Sequence, residues 1–279
     1  MRLTAPLFGD VTAVESWVAA LQRKGFTAAS ELPVGDTCDE AVIDEFANAA
    51  RENDIVIAEV GAWCNPLSPD ADERREALRY CKHRLALADR VGARCCVNIA
   101  GSRGRKWDGP HPANLTDESF TMIVATVREI IDDVRPERTY YTLETMPWMY
   151  PHTTKAYKRL LAAVERDAFA VHFDPVNMLW SPHRFFHNAE LVDEFVSELA
   201  PFIRACHAKD AVLADSPLVH IDECCPGDGG LDYGAYLRAL DRLDPDTPLV
   251  LEHMKREEDF DRGLAHIRLV ARQQGIALR

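Results

Sequence analysis

Along this chain, short apolar runs rich in β-branched residues alternate with longer stretches whose apolar positions return every three or four residues. The short runs fall at 3–8, 26–32, 55–61, 94–100, 140–145, 169–174, 203–208 and 249–253, and each is predicted to be a strand. Amphipathic helices are predicted after them, at 14–24, 38–53, 70–91, 117–134, 155–165, 189–199, 233–243 and 260–274. In the third of these, Ala77, Leu78, Cys81, Leu85, Ala88 and Val91 form one apolar stripe, the face that would pack on a sheet. Before the fourth, Thr116, Asp117 and Glu118 read as a capping stretch, with acidic groups at the positive end of the helix dipole.

Regular alternation of strand and helix implies a parallel sheet with helices outside it, because each parallel connection must cross over. Eight such units in 279 residues close naturally into a (β/α)8 TIM barrel, an α/β fold. An open, doubly wound sheet is the rival, but no Gly-x-Gly-x-x-Gly turn follows the first strand. With no linker, low-complexity tract or internal repeat, residues 1–279 are expected to form one domain.

Composition narrows the class of partner. Hydrophobic residues make up 47% and charged residues 28%, which suits a globular enzyme with a large core. No run approaches the roughly 18 apolar residues of a membrane span. Residues 1–6 read straight into a strand and lack the apolar stretch of a leader. A net charge of −13 argues against a nucleic-acid partner, which calls for a basic face. The eight cysteines include the adjacent pairs Cys95-Cys96 and Cys224-Cys225 but no Cys-x-x-Cys, so reduced thiols and a cytoplasmic location are expected.

In such barrels the chemistry sits at the carboxyl ends of the strands. The fifth predicted strand ends in Glu144, the sixth in Asp174, the seventh near His207 and the eighth near Glu252. Each of these groups is costly to bury without a partner, and any one of them alone would be read as structural. Four on consecutive strands at one level are satisfied together by a shared divalent cation. Three oxygens and one nitrogen suit Mn²⁺ best, with Mg²⁺, Co²⁺ and Zn²⁺ as alternatives.

The runs Leu143-Glu144-Thr145-Met146-Pro147-Trp148, His172-Phe173-Asp174-Pro175-Val176-Asn177, Cys206-His207-Ala208-Lys209-Asp210 and Leu251-Glu252-His253 resemble the xylose isomerase-like TIM-barrel superfamily. Within it they look like the sugar isomerase/epimerase branch, which includes ketose 3-epimerases and inosose dehydratases. The resemblance implies that Glu144 and Glu252 both bind the metal and exchange protons with the carbon being altered. A carboxylate can remove a proton beside a carbonyl when a metal stabilises the resulting enediolate. Two departures are visible: Asn177 stands where many sugar epimerases carry histidine, and Leu213 where they carry arginine. They move weight toward a lyase or dehydratase of a keto-sugar, keto-glycoside or keto-inositol, which begins with the same proton removal. The superfamily also contains apurinic endonucleases, which need more histidine ligands and a basic groove. A non-catalytic barrel is a further alternative. The resemblance leaves association of like chains through their outer helices open.

Lys209 is a candidate for holding a substrate oxygen; its alternative is an ion pair with Asp210 or a neighbouring carboxylate. Asn177 is a candidate hydrogen-bond partner of a substrate hydroxyl, or a cap for the turn after strand six. Trp107, His111, Trp148, His183, Arg184 and His187 occupy the long loops after strands four to six, and Trp63 follows strand three. Of these, Trp107, His111, Trp148 and Arg184 are expected to face a small-molecule carbohydrate, since sugar pockets join aromatic walls to a few polar groups. His172 shares the inward side with Asp174 and is expected to be a satisfied interior histidine. The loop Pro226-Gly227-Asp228-Gly229-Gly230 carries an acidic residue where a phosphate cradle would not, so it is read as a tight turn.

Overall fold

The computed structural model of the chain describes residues 1–35 and 37–279. Its strands are β1 (Arg2–Thr4), β2 (Ala28–Ala29), β3 (Val56–Ile57), β4 (Glu59–Gly61), β5 (Cys95–Asn98), β6 (Tyr141–Glu144), β7 (Phe169–Phe173), β8 (Ile203–Ala208), β9 (Asp210–Leu213), β10 (Ile221–Cys224) and β11 (Pro248–Leu251). Its α-helices are α1 (Val14–Lys24), α2 (Glu40–Glu52), α3 (Ala71–Val91), α4 (Asp117–Val134), α5 (Thr154–Val164), α6 (Pro182–Phe186), α7 (Asn188–Leu199), α8 (Tyr233–Leu240) and α9 (Glu257–Gln274).

Seven strands form one parallel sheet in the order β1-β11-β8-β7-β6-β5-β4, so the first strand of the chain pairs with the last. β2 pairs in parallel with β3, which runs into β4 after the single residue Ala58 and carries the ring onward. The result is a TIM barrel with helices on its outer surface. β1 ends earlier than predicted, and Pro6, which has no N–H to donate, follows it closely. Two elements were not anticipated. One is the antiparallel hairpin β9–β10, whose strands are short and half-exposed. The other is α6, which carries a local signal in Ser181, whose hydroxyl accepts from the Arg184 amide, and in Pro182 in the first turn.

Local chemistry explains the helix ends. The Asp70 carboxylate accepts from the Asp72 and Glu73 amides at the start of α3, and Gly92 closes that helix in the left-handed conformation at φ 72°. Thr116 caps α4 through the Ser119 amide. On α3, Ala77, Cys81, Leu85, Ala88 and Val91 are buried as the stripe predicts, while Leu78 is half-buried. The large core cluster lies between helices and sheet, whereas Cys95, Val97 and Ala205 form a small cluster of their own. Alternation along β5 and β8 places those three on the inner side of the ring, on the face that carries His207. Tyr157 of α5 ties two neighbouring strands together: its hydroxyl lies 2.5 Å from the Leu143 carbonyl and 3.0 Å from that of Ala170. Among the described residues, no helix is long and apolar enough to cross a membrane.

Candidate metal centre and cavity

Register sets the inner layer. Glu144 pairs with His172 across β6 and β7, and Val250 with His207 across β11 and β8. Successive side chains of a strand alternate, so His172 and Asp174 share the inner side, as do His207 and Lys209. A register shift between β7 and β8, where Val171 and His172 face Ile203 and Ala205, brings His172 beside His207, their rings 4.1 Å apart.

Glu144, Asp174, His207 and Glu252 therefore converge, with one potential ligand atom from each lying within 4.8 Å of all the others. Nδ1 of His207 is 3.0 Å from Glu144 Oε1, 2.9 Å from Glu252 Oε1 and 3.9 Å from Asp174 Oδ2. The Nζ of Lys209 is 2.7 Å from both Asp174 Oδ2 and Glu252 Oε1, and 3.3 Å from Glu223 Oε1. Lys209 is buried, and its partners are thus neighbouring carboxylates rather than Asp210. Asp210 instead accepts from the amides of Gly227, Gly229 and Leu231, which makes the glycine-rich loop a turn wrapped around a carboxylate.

The electrostatics follow from three carboxylates sharing one buried place. Burial opposes ionisation of Glu144, but the charges on His207 and Lys209 outweigh it and draw its pKa down to about 2. At Asp174 burial wins: despite Lys209, and with Glu144 repelling it, its pKa is pushed up to about 7. Burial disfavours the charged forms of His207 and Lys209, yet the surrounding carboxylates raise both well above their ordinary values. The cluster needs positive charge, and within the chain Lys209 and a protonated His207 supply it.

The donor set fits a divalent cation. Oδ2 of Asp174 and Oε1 of Glu252 are buried without a well-directed hydrogen bond among the described residues, and their close contacts are cationic: Lys209 at 2.7 Å from each and His207 Nδ1 at 2.9 Å from Glu252. Such oxygens are what a cation satisfies. Cys206 has its own buried place one residue from His207, but no thiol joins the set.

Glu59, which sequence reasoning did not single out, completes the arrangement. Its Oε1 is 3.3 Å from His207 Nε2 and its Oε2 is 2.9 Å from His172 Nε2. A neutral His207 that donates Nε2–H to Glu59 would present its Nδ1 lone pair to a cation held among the other carboxylates, whereas the protonated ring donates from Nδ1 to them. Its one signal was an acidic residue inside an apolar predicted strand. Glu59→Gln is expected to weaken Mn²⁺ binding by roughly ten- to a hundredfold without unfolding the protein. Titration calorimetry checks this, and an unchanged Kd would remove Glu59 from that role.

Above the cluster opens a cavity of about 860 Å³, whose lining includes Glu59, Glu144, Asn177, Lys209 and Glu252. Trp63, Trp107 and Trp148 are also part of its wall. Asn177 is held by protein groups: its Nδ2 donates to Glu144 Oε1 at 3.1 Å. Glu223 of the hairpin, which had no distinguishing mark in the sequence, and His253, which closes the Leu251-Glu252-His253 run, are joined at 2.9 Å and line the cavity as well. His111 and Arg184 are not among its lining residues. His111 is exposed and accepts from the Ala113 amide, while the Arg184 guanidinium stacks on Trp180 at 4.3 Å. His183 and His187 stack on one another, also away from the wall. Leu213 sits in β9, opposite Ile221 of the hairpin.

A family model described as xylose isomerase-like TIM barrel matches residues 16–270. The chain belongs to the xylose isomerase-like TIM-barrel family. No curated protein matches the sequence closely. Solved structures share the family fold over nearly their whole length. D-psicose 3-epimerase with D-tagatose, from Clostridium cellulolyticum H10, is 16% identical, with a TM-score of 0.68 over 97% of this chain and 99% of its own. A probable 3-DHS dehydratase from Bacillus anthracis is 16% identical, with a TM-score of 0.70 over 96% and 98%. A xylose isomerase-like TIM barrel protein from Mycobacterium smegmatis, in complex with magnesium, is 15% identical, with a TM-score of 0.66 over 98% and 97%. At these identities the likeness is one of fold.

Proposed function

We propose that this chain is a divalent-metal-dependent isomerase or epimerase that removes and returns a proton beside a carbonyl of a carbohydrate. The observation that carries the reading is the placement of Glu144 and Glu252. Each presents an oxygen within 3.0 Å of the same His207 nitrogen, and both line the same cavity. Two carboxylates at one reacting centre allow one to take a proton from carbon and the other to return it, which is the requirement for moving or inverting a C–H bond. The charges on His207 and Lys209 hold Glu144 in its ionised form, the form that can accept a proton.

Glu144, Asp174, His207 and Glu252 would hold the cation, and three carboxylate oxygens with one imidazole nitrogen suit Mn²⁺. The magnesium complex of the Mycobacterium smegmatis protein supports an oxygen-preferring divalent ion. When bound, such a cation supplies Lewis-acid stabilisation of negative charge developing at the carbonyl oxygen. Lys209 adds a fixed ammonium beside Asp174 and Glu252, and Asn177 holds Glu144 in place. The net charge of −13 and the carboxylates of the cavity argue for a neutral sugar rather than a phosphate or a nucleic acid.

A second reading, elimination by a lyase, is favoured by two placements. Asn177 is turned onto Glu144, and Leu213 lies in the hairpin, so neither repeats the polar contacts that the epimerase resemblance implies. The experiment is incubation of the Mn²⁺-loaded protein in D₂O with keto-hexoses, keto-glycosides and keto-inositols. Deuterium beside the carbonyl without loss of a group is the expected result. An ultraviolet-absorbing enone would establish elimination instead, and no exchange with any of them would sink both readings.

A further inference from the structure

The cavity is deeper in charge and shallower in aromatics. Glu144 and Lys209, at its floor, are 5% and 1% exposed, whereas Trp63, Trp107 and Trp148 are 41%, 37% and 36% exposed. Three of the chain's five tryptophans thus stand around one mouth. They come from three successive loops, after β4, β5 and β6, and the structure holds at least two of them in place. Nε1 of Trp148 donates to the Asp108 carbonyl at 2.8 Å, which joins the second and third of those loops. Trp63 lies against the backbone of Gly61, where an added Cβ would come within 2.3 Å of the indole nitrogen, so only glycine permits the approach.

Indoles held this way offer a ligand mainly their faces. Their partners are flat, weakly polar surfaces such as the C–H faces of a sugar ring, and covering them recovers the apolar area left open. A single ring seated on the enclosed floor leaves the outer part of the cavity, where the exposed indoles stand, still to be filled. Ligand pockets span roughly 300–1,000 Å³, and a lone sugar ring needs only the lower end of that range. This cavity, at about 860 Å³, lies near the upper end.

We propose that the cavity is a two-ring site: the carbonyl-bearing ring lies over Glu144 and Glu252, and a second sugar ring lies nearer the mouth, against one or more of Trp63, Trp107 and Trp148. The substrate class is then a glycoside carrying a carbonyl on one ring, not a free monosaccharide. This rests on the carbohydrate reading above and specifies it.

Calorimetric titration of the Mn²⁺-loaded protein with maltose, glucose and phenyl glucoside tests the proposal. Maltose is expected to bind at least tenfold tighter than glucose. Trp107→Ala and Trp63→Ala should each remove most of that advantage while changing glucose affinity less than twofold; retained glucose binding shows that the variants fold. Equal affinity for maltose and glucose would overturn the second-ring site yet leave the carbohydrate reading standing. A tenfold gain for phenyl glucoside but none for maltose would overturn it in favour of an aromatic aglycone. Binding of none of the three would overturn the second-ring site, while deuterium exchange with the keto-sugars decides the carbohydrate reading separately.

Discussion

Glu144→Gln and Glu252→Gln are each expected to lower turnover by about 10²–10⁴-fold, the range that a positioned acid or base contributes. The amide keeps the size and one oxygen of the carboxylate but cannot take a proton from carbon. Both residues sit at strand ends outside the apolar core, so circular dichroism should stay close to wild type, while the melting point falls because buried Lys209 and His207 lose a charged partner. Their effects on the metal separate two roles. If either glutamate served only as a ligand, saturating Mn²⁺ would restore kcat. If both move protons, kcat stays low however much Mn²⁺ is added. Recovery of full turnover at saturating metal would take that glutamate out of the proton-transfer step.

Lys209→Met tests the charge balance of the same cluster from the opposite side. This lysine lies 2.7 Å from both Asp174 and Glu252 and is almost wholly enclosed. Methionine keeps the length of the side chain and removes the charge, leaving the carboxylates with His207, and for Glu252 also His253, as close cationic partners among the described residues. Breaking a buried ion pair by deleting one partner costs about 3–5 kcal/mol, and a loss of that order is expected in urea unfolding with chelator present. Mn²⁺ should restore much of it, because an ion that binds only the folded state stabilises by mass action. A variant as stable as wild type in chelator would show that the lysine does not balance the carboxylates. A deficit that Mn²⁺ leaves unchanged would show that the cation does not share their place.

Much of the barrel was legible along the chain. Helices α1 and α4 and strand β8 begin and end where the patterning puts them, because caps, dipole and apolar stripe are all local. Elements whose pattern is weak were not legible. The hairpin β9–β10 is half-exposed on both strands, so its alternation carries little apolar contrast, and Glu223 went unnoticed with it. The aromatic loops were readable only as a group. Trp107 and Trp148 reach the cavity while His111 and Arg184 do not, because the direction of a loop side chain follows from what the loop packs against.

The sequence by itself determined the eight-fold alternation of strand and helix, and it marked Glu144, Asp174, His207 and Glu252 as groups too polar for the strand ends that carry them. Both are consequences of period and position, which a few neighbouring residues specify. Tertiary structure alone decided who meets whom. Glu59 and His207 are 148 positions apart and touch only because the ring brings strands from the two halves of the chain to face one another. The register shift beside His172, the turn of Asn177 onto Glu144 and the capture of Lys209 by Asp174 and Glu252 likewise depend on how the strands line up. Register and closure are set by the packing of the whole sheet, and no local stretch of sequence contains them.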